Sequence, residues 1–197
     1  MIDELELSAG SPLVPARRRV APWIAGAVLA VLAAFFVMLV MASPDNGAAA
    51  ESPLLGRPAP AAVGELDDGT VFDLSRRKGS WVVLNFFRAD CVPCIEEHPE
   101  LISFVDQQRS QDRNRVEFYS VVVDDTREDV EEFFAARGGD WPVVYSDNDS
   151  LSVAFGVAAV PETWIIDADG IVRVRYVGKV TAESLSVTIQ QLREGAS

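Results

Sequence analysis

The sequence predicts an α/β protein, a central mixed β-sheet flanked by helices and preceded by one N-terminal transmembrane helix. Three observations predict it. Ala21–Ala42 holds no charged residue. From Trp81 to Phe155, strand-like apolar runs alternate with helix-like segments. The remainder reads as a hairpin followed by a final helix. Strand–helix–strand–helix, then an antiparallel pair and a helix, folds as a mixed sheet covered on both faces.

Residues 1–20 are polar, contain proline and end in Arg17-Arg18-Arg19. The apolar segment 21–42 follows, and about 22 residues at 1.5 Å each span a ~30 Å hydrocarbon core. Arginines on its N-terminal side put residues 1–20 in the cytoplasm and the bulk of the chain outside. Nothing in the segment is amphipathic, which argues against a buried core helix. A cleaved signal peptide is the rival reading, with Ala48-Ala49-Ala50 as a cleavage site, although the apolar stretch exceeds the usual signal core. The retained anchor is favoured. Ser43–Pro60 is rich in Ala, Pro, Ser and Gly, so 43–53 reads as a flexible linker and 54–197 as the folded domain.

Within that domain, Trp81–Phe87 is a continuous apolar run, expected of a strand covered on both faces. From Cys91 to Arg109 apolar residues recur at roughly helical spacing. Val116–Val123 reads as a second strand and Arg127–Arg137 as an acidic-faced helix. A short helix near Leu151–Phe155 follows a turn at Asp147-Asn148-Asp149. Thr163–Ile166 and Ile171–Val177 flank Asp167-Ala168-Asp169-Gly170, a hairpin signal. Thr181–Leu192 closes the chain as a helix with Thr181 as N-cap.

Net charge is −13. The acids and bases of residues 1–42 cancel, so the whole excess lies on the rest of the chain. A surface of that sign repels phosphate backbones, which excludes nucleic acid as a natural partner. The two cysteines form one Cys91-Val92-Pro93-Cys94 unit, a loop too small to staple a fold. They read as chemistry. Where a strand hands over to a helix, the first cysteine meets free amide donors and the helix dipole, and both favour a thiolate. The second lies about one turn on and can resolve a mixed disulfide. Cys91 is the expected attacking thiol and Cys94 the resolving one, with Pro93 in the first turn, where a missing N–H costs nothing. Zinc needs about four ligands. Only His98 is available beside the cysteines, so neither metal nor cofactor is expected. Asp167–Gly170 lacks the later ligands of a calcium loop.

The stretch Asn85-Phe86-Phe87-Arg88-Ala89-Asp90-Cys91-Val92-Pro93-Cys94-Ile95-Glu96-Glu97-His98-Pro99 resembles the active-site segment of the TlpA/ResA/CcmG group of membrane-anchored thioredoxin-like proteins. Phe155–Asp167, with Val160-Pro161-Glu162 inside it, is similar to that group's second signature, above all in CcmG. The resemblance covers roughly residues 54–193. It implies a thioredoxin-like fold, a cis Val160–Pro161 bond against the dithiol, and pairing of the Val160 backbone with an extended substrate. It implies a place near the active site for Glu162, whose carboxylate then tunes the cysteines or relays a proton. Asn85 stands where thioredoxin has a buried acid, leaving Glu162 or water for proton transfer.

Two positions depart from the pattern. Asp90 replaces the usual tryptophan before the first cysteine. A carboxylate there disfavours the Cys91 thiolate unless Arg88 meets it. Ala159 replaces a glycine or similarly small residue and narrows the substrate groove.

The expected activity is thiol–disulfide exchange outside the cytoplasmic membrane. The implied substrate is a protein disulfide such as that of apocytochrome c, and the implied electron donor is a membrane protein of the CcdA/DsbD type. A general disulfide oxidase is the enzymatic alternative. A copper-binding SCO-like module is the alternative of another class, but it uses Cys-x-x-x-Cys and a distant histidine.

Overall fold

The structure is a computed structural model, and it describes residues 21–41, 47–111 and 116–195. The expected cytoplasmic segment 1–20 lies outside the described residues. The chain divides into two units, Met1–Ser43 and Pro44–Ser197.

In the first unit α1 (Ala21–Met41) is an uncharged helix. Its side chains are described over residues 23–37, and there all are exposed, Trp23 and Leu29 among them. Counted over residues with described side chains, no helix is long and apolar enough to cross a membrane.

The second unit carries β1 (Ala48–Ala49), β2 (Val63–Leu66), β3 (Val71–Asp73), β4 (Val82–Phe87), α2 (Val92–Arg109), β5 (Glu117–Val122), α3 (Arg127–Arg137), β6 (Val143–Tyr145), α4 (Ser150–Phe155), β7 (Glu162–Ile166), β8 (Val172–Val177) and α5 (Ala182–Gly195). Among the described residues the strands form one sheet in the order β1-β8-β7-β4-β5-β6-β2-β3. β4 runs parallel to β5 and antiparallel to β7, so the sheet is mixed.

β4 is buried at every position, and its side chains alternate between two cores. Leu84 and Phe86 pack with Phe72, Trp164, Leu151 and Phe155 on one face. Val83 points to the other, against Leu101 and Phe104 of α2 and Leu185 and Ile189 of α5. Phe87 extends that second face toward Cys94, Val130 and Phe133. The helices α2 and α5 also meet through polar groups. Glu100 accepts the Ala182 N–H at 3.0 Å, satisfying an amide at the start of α5. Thr181 caps α5 as expected, its Oγ1 accepting the Ser184 N–H at 3.1 Å.

Apart from β6, the elements from β4 onward fall where the sequence places them, within a residue or a few at each end. The sequence reading has no counterpart for β1, β2, β3 and β6, because these strands are short and lack a period-2 pattern. In β2 and β3, Val63 and Val71 are exposed. Register decides there: a Cβ at Gly64 would sit 2.5 Å from the Tyr145 carbonyl oxygen and 2.7 Å from a Val144 methyl. Only glycine lets β2 lie against β6. Within the expected linker, β1 pairs with β8.

Truncating Phe86 to alanine should cost about 3–5 kcal/mol by deleting a ring from the closed core. Val153→Ala, on an exposed side chain of α4, should stay within about 0.5 kcal/mol. Denaturant midpoints measure both, and comparable losses would refute the burial of β4.

Candidate active site

The dithiol sits where β4 ends. After Phe87 the chain turns over Arg88–Cys91, and the Cys91 N–H donates to the Arg88 carbonyl at 3.4 Å. Cys91 is then the N-cap of α2, with extended backbone (φ −77°, ψ 111°). Its Sγ accepts the Cys94 N–H at 3.2 Å. That is the bond a capping oxygen makes to an early helical amide, so the helix start favours negative charge on this sulfur. Cys91 and Cys94 are joined in a disulfide. Cys91 is half-buried and Cys94 buried, so an incoming group meets the outer sulfur first.

The Val160–Pro161 bond is cis. The Val160 carbonyl oxygen lies 3.6 Å from Cys91 Sγ, and Gly178 N–H donates to the Pro161 carbonyl at 3.0 Å. The fold thus brings together Cys91, Cys94, Val160 and Pro161.

Glu162 has a different setting. Along β7, Thr163 faces Asn85, whereas Glu162 and Trp164 face the opposite side of the sheet. The Glu162 carboxylate accepts from Trp164 Nε1 at 2.7 Å and from Arg175 Nε and Nη2 at 3.0 and 2.9 Å. Its hydrogen bonds come from Trp164 on β7 and Arg175 on β8.

On the dithiol's own face the buried carboxylate is Glu97, one turn beyond Cys94 on α2 (i, i+3), which shares its side of the helix. Its Oε1 accepts the Val180 N–H at 2.9 Å, and its Oε2 lies 3.4 Å from the Asn85 amide nitrogen. The same amide donates to Thr163 Oγ1 at 3.0 Å. Burial pushes the Glu97 carboxyl up to about 7, against the Val180 and Asn85 hydrogen bonds that favour its ionised form. Sequence reasoning missed Glu97. The one available signal was a carboxylate one turn past the resolving cysteine, and beside the exposed Glu96 it reads as part of a solvated helix face.

His98, the third group of a hypothetical metal site, is turned elsewhere. Its Nε2 is 2.8 Å from the Gly138 carbonyl, and its ring packs on Phe133, Phe134 and Trp141. Burial holds its pKa below the ordinary range. The rim of the site is mainly acidic: Asp90, Asp125, Asp129 and Glu132, with Arg137 as the counter-charge, help line a groove of about 450 Å³ beside the Cys91 turn.

The chain is similar to known proteins over most of its length. Residues 54–192 match the Redoxin family. The chain is 28% identical to the thiol:disulfide interchange protein DsbE of Vibrio cholerae over 171 residues, covering 83% of this chain and 88% of that one. It is 30% identical to the thiol-disulfide oxidoreductase ResA of Bacillus subtilis over 145 residues, covering 74% and 79%. The crystal structure of StoA from Bacillus subtilis superposes with a TM-score of 0.56 at 26% identity, over 65% of this chain and 96% of that one. The chain therefore belongs to the Redoxin family and, within it, to the TlpA/ResA/CcmG group of thioredoxin-like thiol–disulfide oxidoreductases.

Proposed function

We propose that this oxidoreductase reduces disulfides of extracytoplasmic proteins, with Cys91 as nucleophile and Cys94 as resolving thiol. One observation carries the reading: a disulfide whose outer sulfur caps α2 and whose inner sulfur is buried beneath it. The Cys91 thiolate attacks one sulfur of the substrate disulfide. A Cys91–substrate bond forms, and the second substrate sulfur leaves with the electron pair. Cys94, deprotonated, then attacks Cys91 Sγ. The substrate departs as a dithiol, two electrons richer, and the Cys91–Cys94 disulfide is left behind.

Val160 and Pro161 form the substrate-binding edge in this proposal. With its carbonyl beside Cys91 Sγ, Val160 suits the main chain of an extended segment, which hydrogen-bonds as an added strand. Glu97 is the better-supported proton carrier, since it lies one turn from Cys94 and its carboxyl titrates near neutrality. Glu162 serves at one remove. Its ion pair with Arg175 fixes the strand that follows Pro161.

The anchor belongs to the same proposal. Residues 21–42 cross the cytoplasmic membrane, 1–20 stay in the cytoplasm, 43–53 link, and 54–197 work outside. Exposed apolar side chains along residues 23–37 of α1 support this, since lipid relieves a cost that water imposes. The disulfide of an apocytochrome c haem-attachment segment is the proposed substrate, for which an acidic rim offers charge complementarity. A membrane donor of the CcdA/DsbD type then restores the dithiol, and tethering raises the local concentration of both partners.

The pair's reduction potential tests the direction of electron flow. A value near −270 mV is expected, and one near −120 mV would instead make the protein an oxidase. Cys91→Ser should abolish exchange. Cys94→Ser should accumulate a mixed disulfide through Cys91, and mass spectrometry of the trapped species identifies the substrate.

Glu97 yields a pH prediction. Its folded pKa is raised from 4.5 to about 7, so between those values the folded state holds a proton that the unfolded chain has released. This contribution to stability is full below 4.5 and is lost as pH rises through about 7. Integrated over the window it is on the order of 3 kcal/mol at most. Glu97→Gln should flatten the decline in unfolding free energy between pH 4.5 and 7.5. It should also slow resolution by about 10²-fold and erase the inflection near neutrality in the pH–rate profile. An unchanged profile would remove Glu97 from proton transfer.

A further inference from the structure

The turn that delivers Cys91 to the helix start carries two opposite charges. Because Cys91 N–H closes this turn on the Arg88 carbonyl, Arg88 and Asp90 both lie within one turn of the attacking sulfur. Arg88 grips Asp90 through Nε at 2.9 Å to Oδ1, and through Nη2 at 2.8 Å to each carboxylate oxygen. Its Nη1 lies 3.8 Å from Asp124 Oδ2. The turn is itself pinned, since Ala89 N–H donates to Asp125 Oδ2 at 2.6 Å. The same carboxylate accepts the Thr126 N–H at 2.9 Å.

The other charged groups around the site leave Arg88 in a singular position. On α2, Glu97 is buried and Glu96 is paired with Lys179 at 2.9 Å. The loop after β5 brings Asp124 and Asp125. From α3, Asp129, Glu132 and Arg137 line the adjoining groove. The cis-proline segment offers Cys91 a carbonyl, and its carboxylate, Glu162, is tied to Arg175. On the turn and the loop that clamps it, Arg88 is the cation that faces three acids.

We infer that Arg88 is a positioning residue for the exchange reaction: clamped by Asp90 and Asp124, it holds a positive charge beside Cys91 and sustains the attacking thiolate within an acidic rim. Asp90 has two effects in this device. It fixes the guanidinium in place, and its own charge limits how far that cation favours ionisation. Removing either charge should therefore move Cys91 ionisation in opposite directions, and removing both should leave the helix N-terminus to set the baseline. The hydrogen bond from Arg88 holds the guanidinium's own affinity for its proton above the ordinary value. The pair therefore stays charged wherever a thiol titrates. Arg88 is about a third exposed and Asp90 more so, so the effect is modest and weakened by salt.

This inference rests on Cys91 being the attacking thiol, and the experiment separates the two. The full chain is prepared with Cys94→Ser, which leaves Cys91 as its one thiol. Thiolate absorbance is followed against pH at low and at about 1 M salt. Arg88→Gln should raise the Cys91 pKa by about half a unit or more, and Asp90→Asn should lower it by a similar amount. The Arg88→Gln/Asp90→Asn double variant should return close to the parent value, and Arg88→Lys should stay close to it as well. High salt should shrink each shift. Circular dichroism confirms that each variant is folded, and Asp90→Asn, on an exposed side chain, keeps the test sound if an Arg88 variant misfolds. If the unmodified protein cycles between dithiol and disulfide while all variants share one Cys91 pKa, the inference is overturned and the reaction stands. If the unmodified protein does not cycle at all, the reading of Cys91 beneath it fails instead.

Discussion

The complete burial of β4 constrains the rest of this structure. A strand covered on both faces needs a helix layer on one side and a second layer on the other, and its backbone must be paired on both edges. Parallel β5 and antiparallel β7 supply the pairing. Because α2 starts where β4 leaves the sheet, the first free amides of that helix emerge at the sheet edge. Because β7 is antiparallel to β4, its start reaches the same edge. The cis-proline segment and the dithiol therefore meet as a consequence of strand direction.

A second constraint couples the site to the far end of the chain. The short run from Gly178 to Val180 bonds to the Pro161 carbonyl, to Glu96 and to Glu97. A carboxylate near the start of α2 is thus held by backbone that follows β8. Burial there disfavours ionisation, whereas the Val180 amide favours it. Burial prevails and leaves the Glu97 carboxyl pushed up to about 7, a range that suits proton transfer. On the other sheet face the buried Glu162 carboxylate is instead paired with Arg175.

Charge around the sulfurs is graded by depth. At the surface, Arg88, Asp90, Asp124 and Asp125 act through solvent and respond to salt. One layer in, the Cys94 amide faces Cys91 Sγ directly. Deeper still lies Glu97, where desolvation dominates.

The sequence by itself determined the main elements from β4 onward, because long apolar runs, caps and a hairpin turn are local signals whose physics acts within a few residues. It also determined that the cysteines are chemical, since a lone pair at a strand-to-helix junction has no structural task. The short strands β1, β2, β3 and β6 were decided by pairing with distant partners, as the fit of Gly64 against Tyr145 shows. Likewise Glu97 and Glu162 are both acids beside a signature motif, and nothing local distinguishes them. Tertiary structure alone buried Glu97 against Asn85 and Val180 and turned Glu162 to Arg175, because burial and hydrogen-bond partners come from residues far along the chain.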